Sequence, residues 1–445
     1  MALQRLELPW RQPAQLAADL LQRWGAEGLV WLDGDGSDLG RWATLAADPL
    51  EQHCCRGLPG QAGAGDPFAA LAALGPGHWS GWLSYEAAAW VEPAAHWRSD
   101  AMASLWIARH DPVLRCDLLE QRLWLEGHDP QRLQQWSDWL EELAQAQDAE
   151  PEADGDTTGI AANAWTWHSD TDRFAAGVRR IQDWIACGDL FQANLTACCS
   201  ATLPPDRAGG ATTALDLFQR LRRRCPAPFA GLVVAAGAAA GEAVISVSPE
   251  RFLQVSAEGL VETRPIKGTR PRAQDPGSDA ALAAELVCSV KDRAENVMIV
   301  DLLRNDLGRV CEPGSIQVPQ LVGLESYANV HHLTSVVTGQ LRAGCSWVDL
   351  LRACWPGGSI TGAPKLRACQ RLAELEPVPR GPYCGSLLRR DWDGGFDSSI
   401  LIRTLLLQGQ QLRLQAGCGI VADSDPEAEA EEMGWKLNPL LEALA

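Results

Sequence analysis

Two pairs of carboxylates, Asp292 with Glu295 and Glu429 with Glu432, recur at i, i+3 spacing. On a helix that spacing puts both acids of a pair on one face. Acid-rich helix faces are as a rule simply solvated, and either pair alone reads that way. The Glu295 segment, however, runs on into VMIVDLLRND, which is apolar enough to be buried on most sides. A carboxylate there needs a base or a hard cation beside it. Oxygen ligands from two helices suit Mg2+, which takes one or two carboxylates and completes its shell with water and substrate oxygens.

The run RPIKGTRPR, Arg264 to Arg272, centres on Lys267. A glycine directly after the lysine suggests a backbone that bends tightly or approaches something closely. Most lysines are solvated surface cations, and the run alone does not separate that from an amine placed for chemistry. His331 and His332 stand together in NVHHLTSVV, an alternating strand pattern in which one of them points inward; a satisfied core histidine is the ordinary outcome. Gln192 in DLFQANLT draws no attention, since a polar residue on a strand face is normally exposed. PGGSITGAPK and AGCGIVADSDPEAEAEE resemble phosphate-cradling loops, but neither is a Walker A sequence or a dinucleotide fingerprint. A glycine loop before a helix offers N–H groups to an anion; an ordinary strand-to-helix turn is equally consistent.

The elements that must position these residues follow from periodicity. Strand-like runs occur at GLVWLDG, QRLWLEG, GDLFQANLTACCSATL, HHLTSVVTGQL, SSILIRTLLLQG and QLRLQAGCGIVA. Helical spacing marks PQRLQQWSDWLEELAQAQ, Asp170 to Asp189, a long amphipathic segment from Asp279 to Asp306, and the closing DPEAEAEEMGWKLNPLLEALA. Strands interspersed with long helices predict a mixed α/β (α+β) architecture with largely antiparallel sheets. Composition turns acidic and poor in large apolar residues around AQAQDAEPEADGDTTGIAANA, which divides the chain into residues 1–145, a linker or loop at 146–164, and a motif-dense region at 165–445.

Composition bounds the function. The chain has 445 residues, 46% hydrophobic and 21% charged, ordinary for a globular protein with a sizeable core. Fifty-seven acids against 38 Lys and Arg give a formal charge of -19, a field that repels nucleic acid and anionic membranes. A small anionic substrate then needs a local basic pocket. The 14 cysteines show neither C-x-x-C nor zinc spacing and read as reduced, buried thiols. No signal-peptide pattern stands at the start, and the most apolar stretch, Phe229 to Val247, is broken by Glu242 and reads as two strands about a turn. A cytoplasmic protein is expected.

Taken together, GDLFQANLT, SPERFL, TRPIKGTRPR, DRAENVMIVDLLRNDLGRV, VHHLTSVVTG, PGGSITGAPK, YCGS, IRT and GCGIVADSDPEAEAEE resemble the chorismate-utilising enzymes: anthranilate, aminodeoxychorismate, isochorismate and salicylate synthases. The strings come in family order from about Phe174 onward. The resemblance implies two packed, largely antiparallel sheets flanked by helices. Within the family, anthranilate-forming members carry alanine where this chain has Lys267, and lysine is characteristic of the aminodeoxychorismate-forming ones. The implied chemistry is covalent: the Lys267 amine attacks C2 of chorismate as the C4 hydroxyl leaves, and ammonia then attacks C4 and expels the lysine. Isochorismate and salicylate synthases place a water-activating lysine where Gln192 stands, so that branch is not expected. By the same resemblance Glu250 is the general acid, and Glu295 and Glu432 ligate Mg2+, with Asp292 and Glu429 in an outer shell. Gly268, Thr269, His332, Tyr383, Arg403, Gly417 and Lys436 hold the substrate.

Departures accompany the match. Leu387 to Arg390 replace the usual Ile-Gly-Tyr-like continuation of YCGS, and WLDG replaces the string with which anthranilate synthases bind inhibitory tryptophan. No glutaminase constellation and no appended lyase are visible, so ammonia is expected from a partner glutamine amidotransferase subunit. Two other readings stay open: an anthranilate synthase in which Lys267 is accidental, and a catalytically dead tryptophan-binding subunit, against which intact Glu250, Lys267, Glu295 and Glu432 speak.

Overall fold

The computed structural model describes residues 2–146, 159–204, 211–327 and 330–445. The alternating runs become antiparallel strands in two sheets, one of twelve strands and one of ten. The larger sheet runs from Gln4–Leu8 at one edge, through Val30–Asp33, Phe229–Val234, Glu242–Ser248, Thr404–Gln408 and Gln411–Ile420, to Gln192–Thr202 and the short Gly362–Ala363 at the other. The smaller sheet joins Ile266–Pro271, Val330–Gln340, Arg251–Val255, Phe396–Ile400, Ser386–Arg390 and His78–Leu83. Strands from before residue 145 and after residue 165 thus share both sheets. The expected linker lies for the most part outside the described residues.

Two apolar cores hold this arrangement. One lies between the sheets and gathers Trp82, Trp106, Val233, Val244, Leu253 and Leu406; the Trp82 and Trp106 rings stack with centroids 5.6 Å apart. The other lies between the larger sheet and its helices, around Leu195, Phe218, Ile245, Leu414 and Leu437. Each large side chain taken fully out of water contributes roughly 1.5–3 kcal/mol. Nine of the 14 cysteines are buried as expected, but Cys187 and Cys288 are exposed and Cys54, Cys225 and Cys345 half-buried, because they sit at helix ends and sheet rims rather than in the cores. Among the described residues, no helix is long and apolar enough to cross a membrane.

Two expectations need correction. The segment from Asp279 to Asp306 is not one helix but two, Pro276–Cys288 and Val290–Gly308. Ser289 breaks it: its extended backbone ends the first helix, and its hydroxyl accepts the Asp292 N–H as the N-cap of the second. SSILIRTLLLQG likewise splits into Phe396–Ile400 and Thr404–Gln408. The interruption contains Arg403 at φ 50°, a conformation that bulky residues avoid.

Candidate active site

Lys267 owes its direction to a bulge. The Ile266–Pro271 strand pairs with Val330–Gln340, and the register shifts between Ile266 and Thr269. Gly268 takes φ 85° in that gap, and a Cβ there would lie 2.8 Å from Asp292 Cβ. The glycine therefore serves both the turn and the close approach that the sequence suggested. Re-aimed in this way, Lys267 Nζ donates to the Ser359 carbonyl at 3.2 Å and lies 4.0 Å from Glu295 Oε2.

The opposite wall comes from the larger sheet. Gln192 and Asn194 alternate on one strand face, and Asn194 pairs with Gly419, Thr196 with Gly417. Glycine at both positions leaves room above the neighbouring strand. A Cβ on Gly419 would lie 2.7 Å from Gln192 Nε2, 3.0 Å from Glu295 Oε2 and 3.3 Å from Lys267 Nζ. Three groups expected to act together thus converge over one missing side chain. Gln192 is 0% exposed, contrary to the ordinary exposure of a strand glutamine, and neither of its amide atoms has a hydrogen-bond partner among the described residues. Buried polar atoms are normally paired, so this amide is aimed at something the protein itself does not supply.

Both histidines are buried, where the strand pattern predicted one. His331 is satisfied by Ser326 Oγ at 2.8 Å and Asp279 Oδ1 at 3.1 Å. His332 Nδ1 lies 2.9 Å from Thr269 Oγ1 and its ring packs 5.8 Å from that of Tyr327, while its Nε2 has no side-chain hydrogen-bond partner among the described residues. Burial, aided by the charge of Arg403, pushes its pKa down to about 3, so it is a neutral imidazole. Arg403 is the complementary case: burial lowers its pKa, and its guanidinium has no hydrogen bond or ion pair among the described residues. The Tyr383 turn is tied to this segment by Cys384 N–H donating to the Leu401 carbonyl at 2.8 Å.

The carboxylates divide by environment. Glu250, 5% exposed between two strands, is pushed up to about 7 by burial, against the Ser359 hydroxyl and the Lys267 charge. Burial also raises Glu295, and the nearby charges of Asp292 and Glu429 add to it. Burial pushes Glu432 the same way, but Lys436, at 2.9 Å, brings it below its ordinary value. Lys436 also donates to the Gly417 carbonyl at 2.9 Å. Glu429 is held by Lys291 at 2.5 Å and by Ser424 Oγ at 2.7 Å; Asp292 lies 3.5 Å from Arg270. The charge of Lys267 acts on Glu250, Glu295 and Glu432 alike. The pocket is therefore mixed rather than simply basic.

That donor set fits a hard divalent cation. Ligand atoms of Cys418, Glu429 and Glu432 lie within 4.8 Å of one another. Burial pushes the Cys418 thiol up to about 12, which leaves it protonated and a poor ligand. The remaining donors of that group are the carboxylates of Glu429, expected in an outer shell, and Glu432; Glu295 is not in the group, although the charge of Glu429 reaches it.

Some groups here had no signal of their own in the sequence. Ser359, which touches both Lys267 and Glu250, is an ordinary serine in a glycine loop, and Lys291 is one helix lysine among many. Gly419 was legible in principle, because alternate glycines inside a strand mark a close approach.

A family model described as chorismate binding enzyme matches residues 27–442. Aminodeoxychorismate synthase component 1 of Klebsiella aerogenes is 45% identical over 287 residues, 64% of this chain and 61% of that one. The chain thus spans about three-fifths of that relative's length. An anthranilate synthase component I-like protein of Synechocystis is 37% identical over 371 residues, 83% of this chain and 73% of that one. Among solved structures, anthranilate synthase component I of Streptococcus pneumoniae superposes with a TM-score of 0.75 at 27% identity, covering 90% of this chain and 92% of that one. The expected two-sheet fold is that fold.

Proposed function

The chain belongs to the chorismate-binding enzyme family, and from that membership we propose that it is the large subunit of aminodeoxychorismate synthase. It converts chorismate and ammonia to 4-amino-4-deoxychorismate, a transaminase-type amination on the route to 4-aminobenzoate and folate, in the cytoplasm. On this reading residues 165–445 carry the chorismate-binding region and residues 1–145 are its N-terminal complement. The observation that carries the reading is the placement of Lys267, aimed by the Gly268 bulge between Glu250, Glu295 and Gln192.

Arg403, Tyr383, Lys436 and the Gly417 amide hold the two carboxylates of chorismate, and the unpaired guanidinium of Arg403 suits a two-point grip. Glu295 and Glu432 hold Mg2+, with Asp292 and Glu429 outside them; when bound it supplies charge that fixes the ring carboxylate. The lone pair of Lys267 Nζ forms a bond to C2 while the two conjugated ring double bonds each shift one place toward C4 and the C4–O bond breaks. Glu250, poised near neutrality, gives the departing hydroxyl its proton, so water leaves. Ammonia then bonds to C4, the two double bonds return to their first positions, and the C2–N bond to Lys267 breaks with its electron pair returning to Nζ. Splitting one substitution into two additions is what a covalent nucleophile offers. Gln192 has no basic nitrogen with which to activate water, which supports ammonia as the nucleophile. A partner glutamine amidotransferase supplies that ammonia.

Anthranilate synthase is the second reading, favoured by the Synechocystis relative's name. Mass-spectrometric identification of the product from chorismate, Mg2+ and ammonium, with and without an added lyase, decides between them. 4-Amino-4-deoxychorismate, turned to 4-aminobenzoate by the lyase, is the expected result; anthranilate contradicts it.

A further inference from the structure

One buried ion pair outside the reaction pocket reaches several of its walls. Arg380, 1% exposed, lies four residues beyond Glu376. The two pair through Nε to Oε2 at 3.0 Å and Nη2 to Oε1 at 2.7 Å. The same guanidinium donates to the main-chain carbonyls of Ile360 at 2.7 Å and Asn194 at 2.8 Å. Its own carbonyl accepts Gln415 Nε2 at 3.0 Å, and Glu376 Oε1 takes the Thr196 N–H at 3.1 Å.

Each anchored atom is close in sequence to a pocket residue. Asn194 follows Gln192 on the same strand, Gln415 precedes Gly417 and Gly419, and Arg380 itself leads into Tyr383. Ile360 follows Ser359, whose carbonyl accepts Lys267 Nζ and whose hydroxyl bonds Glu250. The held carbonyl is one peptide further on than the Ser359 carbonyl, so a shift of the Ser359–Ile360 segment would move the partners of both groups at once.

We propose that Arg380, aligned by Glu376, is a positioning residue that sets the distance between the Lys267–Glu250 side of the pocket and the Gln192 strand. The inference rests on the reading of this pocket as one that acts on chorismate. A planar guanidinium can serve a carboxylate and two carbonyls on different segments together, whereas an ammonium is a point donor. Displacements of about 1 Å among reacting groups can cost roughly a hundredfold in rate.

The test compares Arg380→Lys and Arg380→Met with the parent at a temperature where near-UV circular dichroism shows each variant native. Turnover of chorismate should fall about a hundredfold in Arg380→Lys with KM changed less than about threefold. Without any ligand, hydrogen exchange should quicken together in peptides covering 190–198, 355–364, 380–386 and 412–420. If Arg380→Met does not fold, Arg380→Lys beside Glu376→Gln carries the comparison. Unchanged turnover per folded molecule, with exchange rising evenly through the chain, would assign the pair to stability alone and overturn the proposal. A parent that consumes no chorismate would sink the functional reading, and the exchange of the four segments would still decide the positioning role.

Discussion

Two guanidinium groups border this pocket, Arg380 fully buried and Arg403 only partly so, and they are opposites. Arg380 has a carboxylate and two carbonyls for its donors; burial works against its charge, and the Glu376 carboxylate outweighs burial and keeps its pKa well above the usual value. Arg403 has no such partner among the described residues, and burial lowers it. It also sits at φ 50°, a strained backbone for a long side chain. Even partial desolvation of a cation without a partner costs stability, so a protein keeps one where a ligand completes it. The pairing of a buried charge, more than its presence, separates scaffold from site here.

The largest effect expected is at the carboxylate cluster. Glu432→Ala removes a donor from the set with Glu295 and Glu429, and Mg2+-dependent turnover should drop about a thousandfold or more with an unchanged circular dichroism spectrum. Wild-type rates at saturating Mg2+ would contradict the assignment. Next comes the arginine pair itself. Arg403→Met should raise the KM for chorismate about a hundredfold while leaving Tm unchanged or higher. Arg380→Met should instead cost about 3–5 kcal/mol of stability by stranding Glu376. Equal stability losses in the two variants would erase the contrast.

The smallest effect concerns pH. Glu250 acts in its acid form, and its raised pKa keeps that form populated up to about 7. Its contribution to kcat/KM is therefore full below that value and is lost as pH rises through it. Glu250→Gln should be slow and should lack this limb; a limb that survives in the variant belongs to another group.

Much of this was legible in the chain. Several strands and the closing helix follow from periodicity, the order of the motifs from the family resemblance, and the i, i+3 acids land on helices; the Lys267 strand itself carried no such signal. The breaks were harder. A serine that ends one helix and caps the next, and an arginine forced to positive φ, are set by tertiary packing that local propensity does not carry. The burial of Gln192 was hidden for a similar reason, because the glycines that make room for it lie on a strand more than two hundred residues away. Arg380 and Glu376 read as an ordinary i, i+4 pair until the carbonyls of distant segments are seen to meet them.

The central claim is that Lys267 is a nucleophile, and trapping it tests that most directly. The protein given chorismate and Mg2+ without ammonia, then quenched and digested, should yield a peptide containing Lys267 that carries the mass of chorismate less water. Lys267→Ala should form no adduct and lose most of its turnover, yet still bind chorismate through Arg403, Tyr383 and Lys436. A parent with no adduct, together with a variant of wild-type turnover, would return Lys267 to the ranks of surface cations.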